Sequence, residues 1–376
     1  MMSSLHTPLC DQLGIKYPIL QAGMGKSKGS PTTPELVAHV SEAGGLGFLG
    51  AAGLEPDELR SGIRKIRQLT SRPFGVGLLF PASLATSEPT RAEVRSQIER
   101  DFPEQWAFVQ DLMKNYGLSY LQMEKEHVIS AELSQAQLNV VIEESVPILA
   151  AGLGDPSWAT ERAHKVDMKV LGLAGTVRNA QRQRDCGVDI IIAQGYEAGG
   201  HTGTIANFAL IPQVVDAVRP VPVLAAGGIA DGRGVAAALA LGAVGVWCGT
   251  AFLYAEEINL YDEQRRQLNA VTSEQLVLSR SYTGKPARYV KNEIMEAWMR
   301  SDLEPLPMPL QTVLMDDFVA SAESAGRYDL VSNAAGQIAG MLKEVRPAAD
   351  ILTQMAEEAA EVIGNLSSRC LVTAVG

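Results

Sequence analysis

Short apolar runs alternate with amphipathic segments from residue 17 to residue 248, and that rhythm restricts the fold more than any other feature. The runs occupy residues 17–22, 46–50, 73–80, 146–153, 168–174, 188–193, 221–226 and 243–248. Several lack a polar face and are rich in β-branched residues, as expected of parallel strands covered on both sides. Segments with helical spacing lie between them. In residues 34–43, Leu36, Val37 and Val40 share one face, Thr33 offers an N-cap and Gly44 a stop. Strict alternation of strand and helix demands parallel strands joined by right-handed crossovers. Eight such units over about 240 residues predict an α/β fold, a closed (β/α)8 TIM barrel. The alternative is an open doubly wound sheet, which would bind a nucleotide at its first strand–helix turn. That turn, Gly23-Met24-Gly25, continues into Lys26, Ser27 and Lys28 and does not complete a G-x-G-x-x-G fingerprint.

The rhythm breaks twice. Residues 81–134 are polar, with helical stretches at 91–100 and 104–114, and are too long for an ordinary loop. They read as a helical insertion after the third strand, either a lid or a peripheral decoration. After residue 256 the alternation ends. Residues 257–376 read as a mostly helical extension packed on the barrel of residues 1–256, broken at Pro305, Pro307 and Pro309 and closed by a helix over 348–363. The C-terminal helices offer a surface for a homodimer.

A net charge of -11 without a Lys/Arg cluster argues against a nucleic-acid partner. Cys10, Cys186, Cys248 and Cys370 form no CxxC, which fits a reducing compartment rather than a disulfide framework or a zinc site. No basic, apolar leader opens the chain, and no run of roughly 18 apolar residues could span a bilayer. The expectation is a cytoplasmic protein with no membrane or metal partner.

The sixth run opens into the loop Gly195-Tyr196-Glu197-Ala198-Gly199-Gly200-His201-Thr202-Gly203. Loops at the C-terminal ends of barrel strands carry the chemistry of such folds. Of the five histidines, only His201 follows a strand in such a loop; His6 is in the tail, and His39, His127 and His164 fall on predicted helices. A histidine there can act as a base near neutral pH, although a surface histidine in a turn has the same sequence. Gln194 brings an amide that both donates and accepts. Two further turns, Ala226-Gly227-Gly228-Ile229 and Trp247-Cys248-Gly249-Thr250, follow the seventh and eighth runs. In a barrel this pair commonly binds phosphate through backbone N–H groups. Thr250 adds a hydroxyl, while tight packing of the corners would also use glycine. Gly23, Met24, Gly25 and Gly77 leave room for a flat ring over the barrel mouth, with Met24 able to cover an aromatic face; core packing would explain them as well. No residues have metal-ligand spacing, and no G-x-S-x-G elbow occurs.

With these motifs the chain resembles the nitronate monooxygenase family, also called 2-nitropropane dioxygenases, which are flavin mononucleotide (FMN) enzymes on a (β/α)8 barrel. The resemblance runs from about residue 13 to 256 and resumes in Tyr282-Thr283-Gly284-Lys285-Pro286-Ala287-Arg288 and Ala335-Gly336-Gln337-Ile338-Ala339-Gly340. Its most specific parts are A-Q-G-x-E-A-G-G-H-x-G over 193–203 and A-A-G-G-I-A-D-G-R-G over 225–234. It implies that Gln194 and Gly199 contact flavin, that Gly228 and the turn from Trp247 to Thr250 hold its phosphate, and that Gly23, Met24 and Gly25 line its ring. Gly77, Gly200 and Gly227 complete the expected cofactor set. It further implies that His201 takes the α-proton of a nitroalkane, that flavin passes one electron to O2, and that the nitro compound becomes a carbonyl and nitrite. The chain departs from the family pattern at Gly77, where asparagine is frequent, in its Q-A-G-M-G first turn, in a short loop after His201 and in the long insertion. The same histidine loop occurs in flavin-dependent enoyl-acyl-carrier-protein reductases and NAD(P)H:quinone reductases. An NAD(P)H-dependent reductase of quinones or enoyl thioesters is therefore the alternative activity. A flavin-binding protein without turnover is a third reading, which His201 argues against.

Overall fold

The computed structural model of the chain describes residues 5–25, 31–80, 89–123, 131–152 and 154–369. Six parallel strands come first: β1 (Ile19–Gln21), β2 (Leu46–Gly50), β3 (Gly75–Leu79), β4 (Ile148–Gly152), β5 (Lys169–Ala174) and β6 (Ile190–Gln194). A two-residue strand outside the barrel, β7 (Gly200–His201), precedes β8 (Val223–Ala226) and β9 (Gly245–Cys248). β9 returns to β1, with Leu20 opposite Trp247, so the expected eight-stranded barrel closes and the open sheet is excluded.

Strand periodicity sorts the side chains into two layers. Ile190 and Ile192 join Leu20, Phe48, Leu171 and Leu224 in one cluster, inside the barrel; Ile191 and Ala193 join Val76, Leu149 and Val246 in another, beneath the helices. Gly75 makes room for this interior, because a Cβ there would lie 2.1 Å from the Phe48 ring. That ring meets Trp247 edge-on at 4.6 Å. Thr33 accepts from the Leu36 N–H at 3.1 Å and caps the helix Pro34–Glu42, as its sequence position predicts. The closing helix, Ala348–Arg369, lies against the helix Gly232–Ala240; a Cβ on Gly232 would come within 2.3 Å of the Ala359 nitrogen.

The described part of the insertion forms the helices Arg91–Asp101 and Pro103–Asn115. They share an apolar core, including Val94, Ile98 and Val109, with Tyr289, Trp298 and Phe318 of the C-terminal segment. Two ion pairs tie Arg91 to Asp316 at 2.8 Å and Arg95 to Asp317 at 2.5 Å, both on the helix Leu310–Ser324. Residues 81–88 and 124–130 of the insertion, the latter including His127, and the stretch from Lys26 to Lys28 lie outside the described residues.

Besides its helices, the segment after residue 256 carries two short strands, β10 (Leu276–Ser279) and β11 (Ala287–Val290), which form an antiparallel pair. β11 also pairs with β7, placing Ala287 opposite His201 and Arg288 opposite Gly200. These strands are too short for their spacing to stand out from a helical background. No helix among the described residues is long and apolar enough to cross a membrane.

Candidate active site

The C-terminal ends of the barrel strands open into a cavity of about 540 Å³. All the residues expected to bind a cofactor, together with His201, line it. Its walls differ in what their glycines do. Gly23 and Gly25 let the first loop touch the second: a Cβ on either would lie about 3 Å from the backbone of Gly50 or Ala52. The loop is pinned by Thr32, whose Oγ1 accepts from the Met24 N–H and donates to the Met24 carbonyl, each at 2.8 Å. Gly199 is forced as well, since its Cβ would sit 2.6 Å from the backbone of Ala335 and Gly336. Gly77 and Gly249 are different. The nearest atoms to their Cβ positions are 3.8 and 3.7 Å away, so the protein itself would accept a side chain there.

The turn after β8 is held from the histidine loop. Gly227 and Gly228 have φ of +92° and +74°, a backbone that only glycine adopts without strain. Asn207 donates its amide to the Gly227 carbonyl, while its own N–H donates to the Glu197 carboxylate at 3.2 Å. After β9, Thr250 Oγ1 accepts from the Gly336 N–H at 2.8 Å, which leaves its own proton to donate. Trp247 turns its ring against Phe48, and burial pushes the Cys248 thiol up to about 12, so neither side chain offers a reactive group.

His201 is fixed at three points. Gln194 Nε2 donates to its carbonyl at 2.7 Å, β7 pairs it with Ala287, and its Nε2 lies 3.0 Å from Thr283 Oγ1. Burial first, and then the nearby Lys285 charge, push its pKa down to about 4. The imidazole is therefore neutral at physiological pH by a wider margin than an ordinary histidine. Among the described residues no carboxylate is hydrogen-bonded to it. His39 and His164 are bonded to Glu257 and Asp189 instead, away from the cavity. No metal-ligating cluster occurs among the described residues. Cys186 bonds to Asp155, and burial together with that carboxylate raises its thiol to about 11, unsuited to a nucleophile.

Sequence reasoning missed the wall supplied by the C-terminal segment. Thr283 and Tyr289 line the cavity, and burial raises the Tyr289 phenol to about 12, keeping it protonated. Arg288, only 1% exposed, donates to the carbonyls of Tyr196, Ala198 and Leu276 at 2.7, 3.2 and 2.7 Å and stacks over the Tyr196 ring. The signal for it is the segment from Tyr282 to Arg288, which carries part of the family resemblance.

Comparison with known proteins agrees with this geometry. The family model described as nitronate monooxygenase matches residues 6–358. The Mycobacterium tuberculosis monooxygenase candidate Rv1533 is 38% identical over 96% of this chain and 98% of its own length. A Staphylococcus aureus protein named a probable nitronate monooxygenase is 32% identical over 94% and 98%. Among solved structures, nitroalkane oxidase from Streptomyces ansochromogenes superposes with a TM-score of 0.80 at 30% identity, covering 96% of this chain and 99% of that one. FabK from Thermotoga maritima gives 0.76 at 30% identity, covering 98% and 100%. A match across nearly the whole chain, on a barrel whose mouth carries the histidine loop, shows that this oxidoreductase belongs to the nitronate monooxygenase family.

Proposed function

We propose that the chain binds FMN and oxidises nitroalkanes and their nitronates with O2 to a carbonyl compound and nitrite, with His201 as the base. One observation carries this reading: a half-buried, neutral imidazole on the cavity wall, with no carboxylate bonded to it among the described residues. The residues present fit a flavin. Gly77 and Gly249 meet no packing demand for glycine, whereas a ring or a phosphate pressed against the backbone would create one. The turns at Gly227–Gly228 and Gly249–Thr250 would hold the phosphate through N–H groups, with Trp247 and Cys248 as wall. Gly23, Met24, Gly25 and Gly77 would face the ring. Gln194 has its Nε2 engaged and would use Oε1 to accept from the imide edge, beside Gly199 and Gly200. When bound, FMN would supply the electron acceptor for the substrate and the route to O2.

The protein's own part is proton chemistry and exclusion of water. His201 would take the proton on the carbon bearing the nitro group. The imidazolium then stands beside a nitronate anion, and opposite charges in a buried site stabilise both. This offsets the low basicity that burial imposes on the free imidazole.

The test is anaerobic mixing of FMN-loaded protein with nitronate, NADH or NADPH. Bleaching by nitronate alone is the expected result. Bleaching by a nicotinamide without response to nitro compounds would make the chain a reductase, and failure to take up FMN would refute the cofactor. His201→Asn should keep flavin, slow a neutral nitroalkane about 100-fold or more, and spare the nitronate, which has no such proton to lose.

A further inference from the structure

We propose that Thr283 is a positioning residue that fixes His201 as its Nε2–H tautomer and so presents Nδ1 as the atom that receives the substrate proton. The inference rests on His201 being the base, but its first test needs no turnover. Thr283 Oγ1 lies 3.0 Å from His201 Nε2 and 3.2 Å from the Lys285 carbonyl oxygen. A hydroxyl has one proton to give, and a carbonyl can only accept. If Thr283 donates to Lys285, the imidazole must donate from Nε2, and both hydrogen bonds form. If Thr283 donates to Nε2 instead, the Lys285 bond is lost. Thr283 also bonds to the Tyr289 phenol, and donation to either that oxygen or the Lys285 carbonyl leaves the imidazole as the donor; only donation to Nε2 itself would make it an acceptor.

The surroundings hold the hydroxyl in place. The Lys285 N–H donates back to Thr283 Oγ1 at 3.4 Å, and Thr312 Oγ1 donates to the Thr283 carbonyl at 3.3 Å. Gly284, at φ +78°, makes the tight turn between Thr283 and Lys285, and its Cβ position is 2.4 Å from the Leu306 carbonyl, so the turn admits only glycine. The titratable groups nearest in this wall are the Lys285 ammonium, the Arg288 guanidinium and the Tyr289 phenol. None of these is a carboxylate that would draw a proton to Nδ1.

The experiment uses 15N-histidine-labelled, FMN-loaded enzyme. Long-range 1H–15N correlations distinguish the two neutral tautomers, and loss of one signal set in His201→Asn identifies His201. The expected result is Nε2–H in the wild type and in Thr283→Ser, and a mixed or Nδ1–H ring in Thr283→Val, which keeps the side-chain shape without the hydroxyl. On a neutral nitroalkane, Thr283→Val should lose about tenfold or more in kcat with little change in KM, and Thr283→Ser should restore it. An Nδ1–H ring in the wild type overturns the proposal, as does a valine variant unchanged in both tautomer and kcat. An Nε2–H ring in a protein that ignores nitroalkanes supports the hold of Thr283 on the ring and refutes only the base.

Discussion

Replacing Arg288 by methionine should loosen the histidine loop while the barrel stays closed. Two effects compete. The native guanidinium is buried, and a charge taken from water costs several kcal/mol. Methionine, of similar length and apolar, removes that cost. Against it stand three backbone carbonyls, those of Tyr196, Ala198 and Leu276, that lose their donors together. Each buried acceptor left unsatisfied costs about 1–3 kcal/mol. The stacking over Tyr196, at 4.5 Å, is lost as well, worth about 1 kcal/mol. Three orphaned carbonyls outweigh the relief of one well-bonded charge, and partial relaxation leaves a net loss of about 2–4 kcal/mol. For a chain of this length that lowers Tm by about 3–5 °C. Arg288→Lys should fare little better, because one ammonium cannot span three acceptors on two separate segments. The assay is thermal unfolding by circular dichroism, with hydrogen exchange over residues 195–203 and 276–290. An unchanged Tm and unchanged exchange in the methionine variant would refute the view that this side chain holds the loop.

Three other perturbations separate the roles of neighbouring residues. Gly199→Ala drives a Cβ to 2.6 Å from the Ala335 and Gly336 backbone and should lower both Tm and flavin uptake. Gly249→Asp meets nothing closer than 3.7 Å at its Cβ, so Tm without flavin should hold while the carboxylate repels the phosphate and bound-FMN absorbance is lost. Asp316→Asn leaves the buried Arg91 charge without its carboxylate, at a cost of about 3 kcal/mol, and should speed hydrogen exchange over residues 91–115; unchanged exchange would mean the ion pair does not hold these helices. For His201, the unfolded imidazole takes up its proton near 6.5 and the folded one only near 4. Between those pH values the unfolded chain binds more protons, so stability falls as pH drops, by about 3 kcal/mol in all at 1.36 kcal/mol per pH unit. Urea unfolding from pH 7 to 4 should show this loss in the wild type and not in His201→Asn. Lys285→Ala should raise the His201 pKa, read by NMR titration, because a like charge is removed.

The barrel is legible in the sequence because a parallel strand covered on both faces writes a continuous apolar run. Ile190-Ile191-Ile192 marks a buried strand whatever its neighbours are. The end of that run in turn locates the histidine loop at the barrel mouth. The glycines are legible only as a class. Gly25 and Gly77 look alike as letters, yet one is demanded by Ala52 and the other by nothing in the protein, a distinction that needs the packed second loop. Arg288 is the opposite case. An arginine reads as surface, and only the convergence of three carbonyls from separate segments makes it a core residue.

The strands β10 and β11 escaped the reading for a related reason. Leu276–Ser279 buries only Leu276, so it leaves no pattern of its own. Its neighbour β11 finds a partner in a strand of two residues, Gly200–His201. So short a strand has too few hydrogen bonds to hold itself. It exists because Ala287 and Arg288 pair with it and because Gly200, at φ +66°, turns the loop to meet them. The position of His201 is thus set jointly by the end of β6, through Gln194, and by a segment more than eighty residues later in the chain, through Ala287 and Thr283. The setting of this histidine is a property of both segments, and substitutions in 283–288 should alter its imidazole as directly as those in the barrel loop itself.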